Sequence, residues 1–510
     1  MFECMRAAPD TATAPEALTP RAELTGATLF ISSLAVFAVF LDTTALFVAF
    51  PDIARSFPEV AVSQLSWVLN GYTIVFAALL IPLGKLADRR GHKTLFLAGS
   101  VVFTVGSVLC AVAPEPWMLI AARVLQALGG AALVPSSLAL VLRATPRPRI
   151  PVALAVWGAT GAVAGAVGPT LGAALVEGVG WRWVFVINVP VGIATVMLGR
   201  RSLIESRDPT SQVPAPLGVA LLITGSVLLT LGLVRGEDWG WTSTTTLGVI
   251  LAGLALLVVF LGHQARTTAP TLDLSLFRIR NFMWGNLATI AFGTAFTAMF
   301  LSSILFLTDV WQWSILKAGF AVAPGPLMVA VLAPFMGRLA ARIGQQPLLL
   351  AGGVLYALGA VWRLIALDGQ PDYVGAYLPS MVLTGLGVAL CLPQLSSVVG
   401  QALPPNRLGV GGAVNQAIRQ FAGTIGVALT IGLVAGASGL SDALVRFDRV
   451  WWVLVIGGLG TSVLSLPLRT RPAAAPATSP GVRPSAGGIE QTVTATGRPS
   501  AAAVTPAGKG

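Results

Sequence analysis

Apolar residues recur along this chain in blocks of about 20, the length that a helix needs to cross a bilayer. Blocks this long, without alternation of apolar and polar residues, do not suit the strands of a membrane barrel. Only 10% of the 510 residues are charged, against roughly 25% in soluble globular proteins. The sequence therefore predicts an all-α polytopic membrane protein.

Fourteen of these blocks are long enough to span a membrane. The predicted spans are residues 27–50, 64–83, 94–113, 116–142, 151–176, 183–199, 214–234, 246–262, 282–307, 318–336, 346–362, 374–398, 410–436 and 450–467. Eighteen Lys and Arg residues follow even-numbered spans, and 7, including Arg363, follow odd-numbered spans. Because cytoplasmic loops collect Lys and Arg, we expect both termini to be cytoplasmic, with the chain in the cytoplasmic membrane.

A short internal repeat divides the chain into two halves. Gly84 to Gly91, after span 2, and Gly337 to Gly344, after span 10, share glycines, a Leu-Ala pair and an arginine in the same register. Chance similarity between small basic loops is the alternative, but parallel repeats occur in transporters whose halves rock around a central site. We predict a cytoplasmic tail at residues 1–26, a six-helix half at 27–200, a linker with two extra membrane helices at 201–280, a second six-helix half at 281–468 and a disordered cytoplasmic tail at 469–510.

Asp42 is the most informative charge in the sequence. It is the only acidic residue near the centre of a predicted span, where an ionised side chain costs several kcal/mol unless it faces the protein interior and finds a partner. Arg123 in span 4 and Arg419 in span 13 also lie within spans. Arg123 is too far into its span for full snorkelling to the interface. We therefore expect Asp42 to be a working residue.

Several stretches resemble motifs of the major facilitator superfamily. Gly84 to Lys93 resembles the signature of its loop between spans 2 and 3, with His92 where Arg is usual. Leu119 to Gly130, which contains Arg123 and Gln126, resembles its span 4 motif, and Gly168-Pro169-x-x-Gly172 resembles the span 5 motif of its antiporters. Three further stretches resemble the drug/proton antiporter family with fourteen spans: Leu41 to Thr44 with Pro51, Trp181 to Phe185 with Asn188 and Pro190, and Trp239 to Trp241. The resemblance covers roughly residues 27–470.

The resemblance implies the major facilitator fold, with two six-helix halves and two inserted helices, fourteen transmembrane helices in all. It also implies a gate on the cytoplasmic side, formed by the loop after span 2. The gate residues would be Gly84, Asp88, Arg89, Gly91 and Lys93. The glycines would allow chain reversal and close helix approach, and Asp88 would accept from helix N-terminal amides or pair with Arg89 or Lys93, latching the two halves. Ala341 replaces this Asp in the second copy, so we expect a weaker latch there.

Span 5 carries a regular series of glycines. Gly158, Gly161, Gly165, Gly168 and Gly172 are spaced 3, 4, 3 and 4 residues apart, which places all five on one helix face. Such a face lets another helix backbone come close, and Pro169 inside the helix favours a bend. The resemblance gives this face a role in antiport, and the alternative is a tight helix pair without a role in transport.

The resemblance further implies a mechanism of proton coupling. In the resembled fold the span 4 arginine lies close to span 1, so Arg123 would be the partner of Asp42. Coupling needs a carboxyl whose proton affinity differs between the two states. Protons from outside would bind Asp42, weaken its hold on Arg123 or on the substrate, and leave to the cytoplasm once the halves have rocked. The alternative is a structural ion pair that holds spans 1 and 4 together. The energy source would be the proton gradient, with no cofactor and no metal.

Spans 1, 2, 4, 5, 9 and 13 are expected to line the substrate site. Their polar or aromatic candidates are Trp67, Asn70, Tyr72, Gln126, Asn286, Asn415, Gln416 and Arg419. With Asp42 as the single acid near a span centre, we expect neutral, zwitterionic or monovalent amphiphiles. Arg419 is a candidate for binding an anionic group or, alternatively, for contact with lipid headgroups or helix termini.

The predicted function is export, in exchange for protons, of small amphiphilic compounds such as drugs, antibiotics or related metabolites. A proton symporter for uptake and a transport-like sensor without turnover are alternatives of the same fold. A membrane enzyme is not favoured, because the only histidines, His92 and His263, fall in predicted loops and no nucleophile and base or metal cluster stands out. The net charge of +11 reflects basic loops rather than a nucleic-acid partner. We expect a single chain to work in the lipid bilayer.

Overall fold

The computed structural model describes residues 19–146, 149–208, 212–404 and 407–470. Every regular element in these residues is helical, and fourteen of the helices are long and apolar enough to cross a membrane. The predicted all-α membrane fold is confirmed. Most of the two predicted tails, at residues 1–18 and 471–510, lies outside the described residues.

The fourteen membrane helices are labelled α1 to α14 in chain order. The first half contains α1 to α6: Thr25–Ser56, Val62–Arg90, His92–Val112, Pro116–Ala144, Val152–Val179 and Trp183–Ser202. The insert contains α7 and α8: Pro216–Val234 and Thr244–Gln264. The second half contains α9 to α14: Arg280–Val310, Ile315–Ile343, Gln345–Ala366, Tyr373–Gln401, Val410–Val434 and Leu440–Ser465. Each helix overlaps one predicted span.

Glycines allow the tightest helix crossings in each half. In the first half, α3 and α4 cross at Gly106, where an added Cβ would lie 2.8 Å from Gln126 Cα. In the second half, α11 and α12 cross at Gly387, where an added Cβ would lie 2.7 Å from Tyr356 Cβ. Membrane helices associate largely through close packing, so small residues at these points hold each half together.

The two halves meet along two seams. At the first seam α2 packs on α13, and Thr424 Oγ1 donates to Thr73 Oγ1 over 2.8 Å. At the second seam α5 packs on α10, and Gly319 lies directly against Ala173.

The insert lies across the first seam. Helix α7 contacts both α2 and α13. In the loop between α7 and α8, Asp238 accepts a hydrogen bond from Ser63 Oγ of the first half over 3.1 Å. Its neighbour Glu237 forms an ion pair with Arg446 of the second half over 3.0 Å. The insert is therefore attached to both halves.

Two predictions about helix ends are wrong. Helix α2 continues past residue 83 to Arg90, so Gly84 lies inside the helix and brings α2 close to Pro135 of α4 instead of reversing the chain. Charged residues such as Lys and Arg are good helix formers, so a helix can outlast its apolar block. Arg363 was assigned to an outer loop, yet it lies inside α11 and is 0% exposed. The predicted span ended at residue 362 because the charged Arg363, in the last turn of the helix, ends the continuous run of apolar residues.

The crossing at Gly387 predicts a matched pair of stability changes on α12. Gly387→Ala would place its Cβ 2.7 Å from Tyr356 Cβ and 2.8 Å from the Gly352 carbonyl oxygen, so we expect a loss of about 1–3 kcal/mol from overpacking. Gly400→Ala on the same helix meets no described heavy atom within 4 Å and should gain up to about 1 kcal/mol of helix propensity. Apparent melting temperatures of the purified variants check both signs. Equal shifts in the two variants would contradict the packing argument.

Candidate functional site

Asp42 is buried inside the first half, where three side chains donate hydrogen bonds to its carboxylate. Its side chain is 1% exposed. Arg123 donates from Nη1 to Oδ2 over 2.5 Å, and Oδ1 accepts from Gln126 Nε2 over 2.9 Å and from Asn188 Nδ2 over 2.8 Å. The structure thus brings together the two residues, Asp42 and Arg123, that the sequence paired. Hydrogen bonds that have an ionised partner, as these do, are stronger than hydrogen bonds between neutral groups.

The Arg123 guanidinium is enclosed and does not reach an interface. It is 1% exposed, and its Nε donates to the Val68 carbonyl of α2 over 3.2 Å. Nη1 also donates to Gln126 Oε1 over 2.6 Å, and the guanidinium carbon lies 4.0 Å from the centre of the Tyr72 ring. Carboxylate, amide, carbonyl and aromatic ring together replace the water that a buried guanidinium loses.

Gln126 belongs to this network and not to an open substrate surface. It is 0% exposed, and its Nε2 donates to Ser107 Oγ of α3 over 2.8 Å as well as to Asp42. We predicted that Gln126 lines the substrate site, but in this conformation both its Oε1 and its Nε2 are already hydrogen-bonded within the network. Gln126 instead orients the ion pair.

Asn188 is the residue of the network that sequence reasoning did not assign to the site. Helix α6 is interrupted after Val186, and Asn188 begins its second part, Asn188–Ser202. This break aims the amide at Asp42 across the half. The available signal was an asparagine two residues before Pro190, inside a stretch already noted for its family resemblance.

The other first-half candidates are largely buried. Asn70 is 0% exposed and donates to Ser66 Oγ over 3.5 Å. Tyr72 is 1% exposed and lies beneath Arg123. Trp67 is part-buried at the start of the longer piece of α2. None of these three presents an open polar surface in this conformation.

The second-half candidates form one polar group between α9 and α13. Asn415 Nδ2 donates to Asn286 Oδ1 over 2.9 Å, and Asn286 is 0% exposed. Arg419 donates to Ser396 Oγ of α12 and, over 3.4 Å, to Asn415 Oδ1. Gln416 and Arg419 are only part-buried. The structure therefore separates the predicted candidates into a sealed group around Asp42 and a more open group around Arg419.

The segment after α2 is held by the end of its own half. Lys93 Nζ donates to the carbonyls of Arg200 over 2.9 Å and Leu203 over 2.7 Å. Asp88 lies 3.9 Å from Lys85 Nζ and 3.4 Å from a nitrogen of the buried His92. The predicted pairing of Asp88 with Arg89 or Lys93 is therefore wrong, and the hydrogen bonds of Lys93 do not latch the second half in this conformation.

Glu205 has the capping role that the sequence assigned to Asp88. Its carboxylate accepts from the backbone amides of Lys93 and Thr94 over 3.0 Å each and from Thr94 Oγ1 over 2.6 Å. It thus caps the first turn of α3, where backbone amides without helical partners favour an anion. Gly91 makes room for it with φ of 118°, since an added Cβ would collide with this carboxylate. A contact across 112 residues leaves no local signal in the sequence.

The glycine series of α5 is divided between two environments. Gly161 packs on the Phe40 ring, and Gly168 and Gly172 pack on Thr44 and Ala45 of α1. Cβ atoms added to the other two, Gly158 and Gly165, would meet no described heavy atom within 4 Å. Pro169 lies inside a helix that continues from Ile150 to Val179. Three of the five glycines therefore bring α5 onto the helix that carries Asp42, and two face open space.

The chain matches known proteins along most of its length. It matches the family described as Major Facilitator Superfamily over residues 32–427 and 287–499. It is 33% identical over 406 residues to the multidrug resistance protein Stp of Mycobacterium tuberculosis, covering 79% of this chain and 74% of that protein. It is 33% identical over 403 residues to the multidrug export protein EmrB of Escherichia coli, covering 78% of each.

A third relative and one solved structure cover still more of the chain. The cephamycin export protein CmcT of Amycolatopsis lactamdurans is 32% identical over 464 residues, covering 89% of this chain and 94% of that protein. An auto-inhibited peptide transporter of the POT family aligns with a TM-score of 0.65 at 19% identity, covering 89% of this chain and 99% of that chain. The structural similarity shows a shared fold alone.

Glu205 predicts a pH-dependent contribution to stability. Burial acts to raise its pKa, but hydrogen bonds from the Thr94 hydroxyl and from the Ser206, Thr94 and Lys93 amides outweigh burial and hold the pKa below its ordinary value of 4.5. Because the folded-state pKa lies below the unfolded one, the stabilisation is complete above the ordinary pKa and is lost as the pH falls through the folded pKa.

We expect Glu205→Gln to lose about 1 kcal/mol near neutral pH, as for a lost helix cap. The difference from wild type should shrink at pH values below the ordinary glutamate pKa. Apparent melting temperatures at neutral and acid pH test this, with Glu59→Gln, at an exposed loop position, as the control. A neutral-pH melting temperature equal to that of wild type would show that the cap contributes nothing.

Proposed function

Because this chain belongs to the major facilitator superfamily, we propose that it exports small amphiphilic compounds, such as drugs, antibiotics or related metabolites, in exchange for protons. The names of its relatives, which are a multidrug resistance protein, a multidrug export protein and a cephamycin export protein, support export of small molecules. We also propose that both termini face the cytoplasm, that one chain suffices, and that the proton gradient is the only energy source. Asp42 would be the proton-carrying group.

The buried network around Asp42 is the observation that carries this proposal. Three groups turn hydrogen-bond donors toward the carboxylate, so the network suits its ionised form. A protonated Asp42 would carry a hydroxyl that needs an acceptor, and proton binding must therefore rearrange the network. Asn188 offers a simple rearrangement, since its Oδ1 has no partner among the described residues and rotation of the amide would turn that oxygen toward Asp42.

A change at Asp42 has a short route to the second half. Ala45, one turn further along α1, packs on Gly172 of α5. The next residue of α5, Ala173, packs on Gly319 of α10. Movement of α1 on protonation would therefore reach the second seam through two direct contacts. This contiguity supports coupling between proton binding and rocking of the halves.

The conformation fits one step of an antiport cycle. At one end of the bundle the two halves are in contact, because the ring centres of Phe47 and Phe300 lie 5.6 Å apart. Toward the other end, a Cβ added to Gly158 of α5 would meet no described heavy atom within 4 Å. With the predicted topology this end is cytoplasmic, and the ionised form of Asp42 is the one expected after a proton has left to the cytoplasm. An antiporter in this state takes up substrate from the cytoplasm.

A charge-pair experiment separates proton coupling from a purely structural role. Asp42→Asn leaves Arg123 buried without its counter-charge, which costs about 3–5 kcal/mol, whereas D42N/R123M removes both charges. We expect the double variant to fold but to lose proton-driven accumulation in inverted vesicles from a pump-deficient host. The probes are ethidium, nalidixic acid and chloramphenicol, which differ in charge.

Folding of each variant is checked before transport is compared. Size-exclusion chromatography and the apparent melting temperature serve as the two measurements of folding. Proton-driven accumulation by D42N/R123M would identify the ion pair as structural only. Wild-type vesicles that accumulate none of the three probes under an imposed proton gradient would contradict export, and proton-driven movement in the opposite direction would identify uptake.

A further inference from the structure

The polar group around Arg419 faces the space between the halves. On α13, Asn415 contacts Asn286 of α9, and Thr424, about two and a half turns further on and hence on the opposite side, contacts α2. By helical spacing, Gln416 and Arg419 lie between these two contact faces. The remaining side of the helix contacts α7 of the insert. Gln416 and Arg419 therefore face the interior and not the lipid.

Open space adjoins this polar face. Gly412 lies one turn before Gln416 on the same side of α13, and a Cβ added to it would meet no heavy atom of the described chain within 4 Å. Gly158 and Gly165 of α5 are equally free of described neighbours. A ligand group can therefore approach this face of α13 beside Gly412.

Arg419 brings an uncompensated positive charge to this space. Among the described residues no carboxylate lies within ion-pair distance of it. It donates only to the neutral oxygens of Ser396 and Asn415, and its Nε has no hydrogen-bond partner in the described structure. Gln416 Nε2 is likewise an unpartnered donor. Asp42 cannot compensate this charge, because its carboxylate is already paired with Arg123.

Arg363 is a second arginine of this half, and its surroundings differ from those of Arg419. Like Arg419, it has no carboxylate partner among the ion pairs of the described residues, and its Nε has no hydrogen-bond partner there either. It is 0% exposed, donates to Ser303 Oγ over 2.9 Å, and lies 4.8 Å from the ring centre of Trp451 and 5.4 Å from that of Tyr377. Aromatic rings stabilise such a cation by cation–π contact. Arg419 has no comparable aromatic enclosure: the residue as a whole is part-buried, while its Nε is covered and has no hydrogen-bond partner in the described structure.

We propose that Arg419 and Gln416 bind the carboxylate, or an equivalent anionic group, of the transported compound. The inference rests on the proposed export function and gives its substrate class: anionic or zwitterionic amphiphiles in preference to cations. A guanidinium offers paired donors that match a carboxylate. Ser396 and Asn415 hold one edge of Arg419. The two donors without partners, Arg419 Nε and Gln416 Nε2, are covered in this conformation and would reach the ligand after a change of side-chain rotamer.

Equilibrium binding to the purified full-length protein in nanodiscs tests the proposal without requiring transport. The probes share one ring system and differ in charge: naphthalene-2-acetate, the neutral naphthalene-2-acetamide and the cationic 2-(naphthalen-2-yl)ethylammonium. We expect wild type to bind the carboxylate at least about tenfold more tightly than either other probe, as a charge-assisted pair allows. Arg419→Gln should abolish this preference, and Arg419→Lys should retain part of it. Arg266→Gln, which removes an exposed positive charge elsewhere, should leave it unchanged.

Three results would overturn the assignment. They are absence of measurable carboxylate binding, tighter binding of the ammonium probe, and a carboxylate preference that survives Arg419→Gln. Nanodiscs with and without phosphatidylglycerol separate a free carboxylate from a lipid headgroup. Competition by that lipid that disappears in Arg419→Gln would identify the headgroup as occupant and would also overturn the assignment.

The proposed function and this inference fail separately. Arg419-dependent carboxylate binding without proton-driven accumulation would remove the export function and keep the binding site. Proton-driven export that prefers ethidium over nalidixic acid, with no effect of Arg419→Gln, would keep the function and remove the binding site.

Discussion

The ion pair between Asp42 and Arg123 is the interaction on which the first half depends. Each of these charges would cost several kcal/mol alone in hydrocarbon, so both need a partner and a full set of hydrogen bonds. Gln126 and Asn188 supply the remaining hydrogen bonds to the Asp42 carboxylate, and Gln126 also donates to Ser107. One ion pair thus fixes α1, α3, α4 and α6 relative to one another, and Arg123 adds a bond to α2. The half packs around a polar centre that tolerates little change in charge.

The two halves handle their buried charges differently. In the first half a carboxylate and a guanidinium neutralise each other inside a closed network. In the second half Arg363 is enclosed by aromatic rings, and Arg419 is held by neutral oxygens beside open space. In the mechanism proposed above this asymmetry divides the work, since the first half binds the proton and the second half binds the compound. Rocking of the halves then connects two sites that need not touch.

The sequence predicted the fold well because the bilayer imposes a length and an apolar composition on every span. It missed ends where charged residues extend a helix into water, as at Arg90, and where α14 begins ten residues earlier than predicted, at Leu440 rather than residue 450. Asp42 and Arg123 were visible because a charge stands out in an apolar block. The roles of Asn188 and Glu205 were not, because they depend on distant partners brought together by packing. Asn188 stood in a stretch noted for its family resemblance, but nothing local to either residue indicates the partner that it binds.

The position of the insert gives the two seams different surroundings. Helix α7 lies along the seam between α2 and α13, and the loop that follows it is bonded to both halves through Asp238 and Glu237. That seam is therefore bordered by protein. No described part of α7 or α8 has a comparable attachment to the seam between α5 and α10. The insert therefore covers one of the two seams along which the halves must move and leaves the other without such a cover, so the two flanks of the protein differ in what a compound in the membrane would meet.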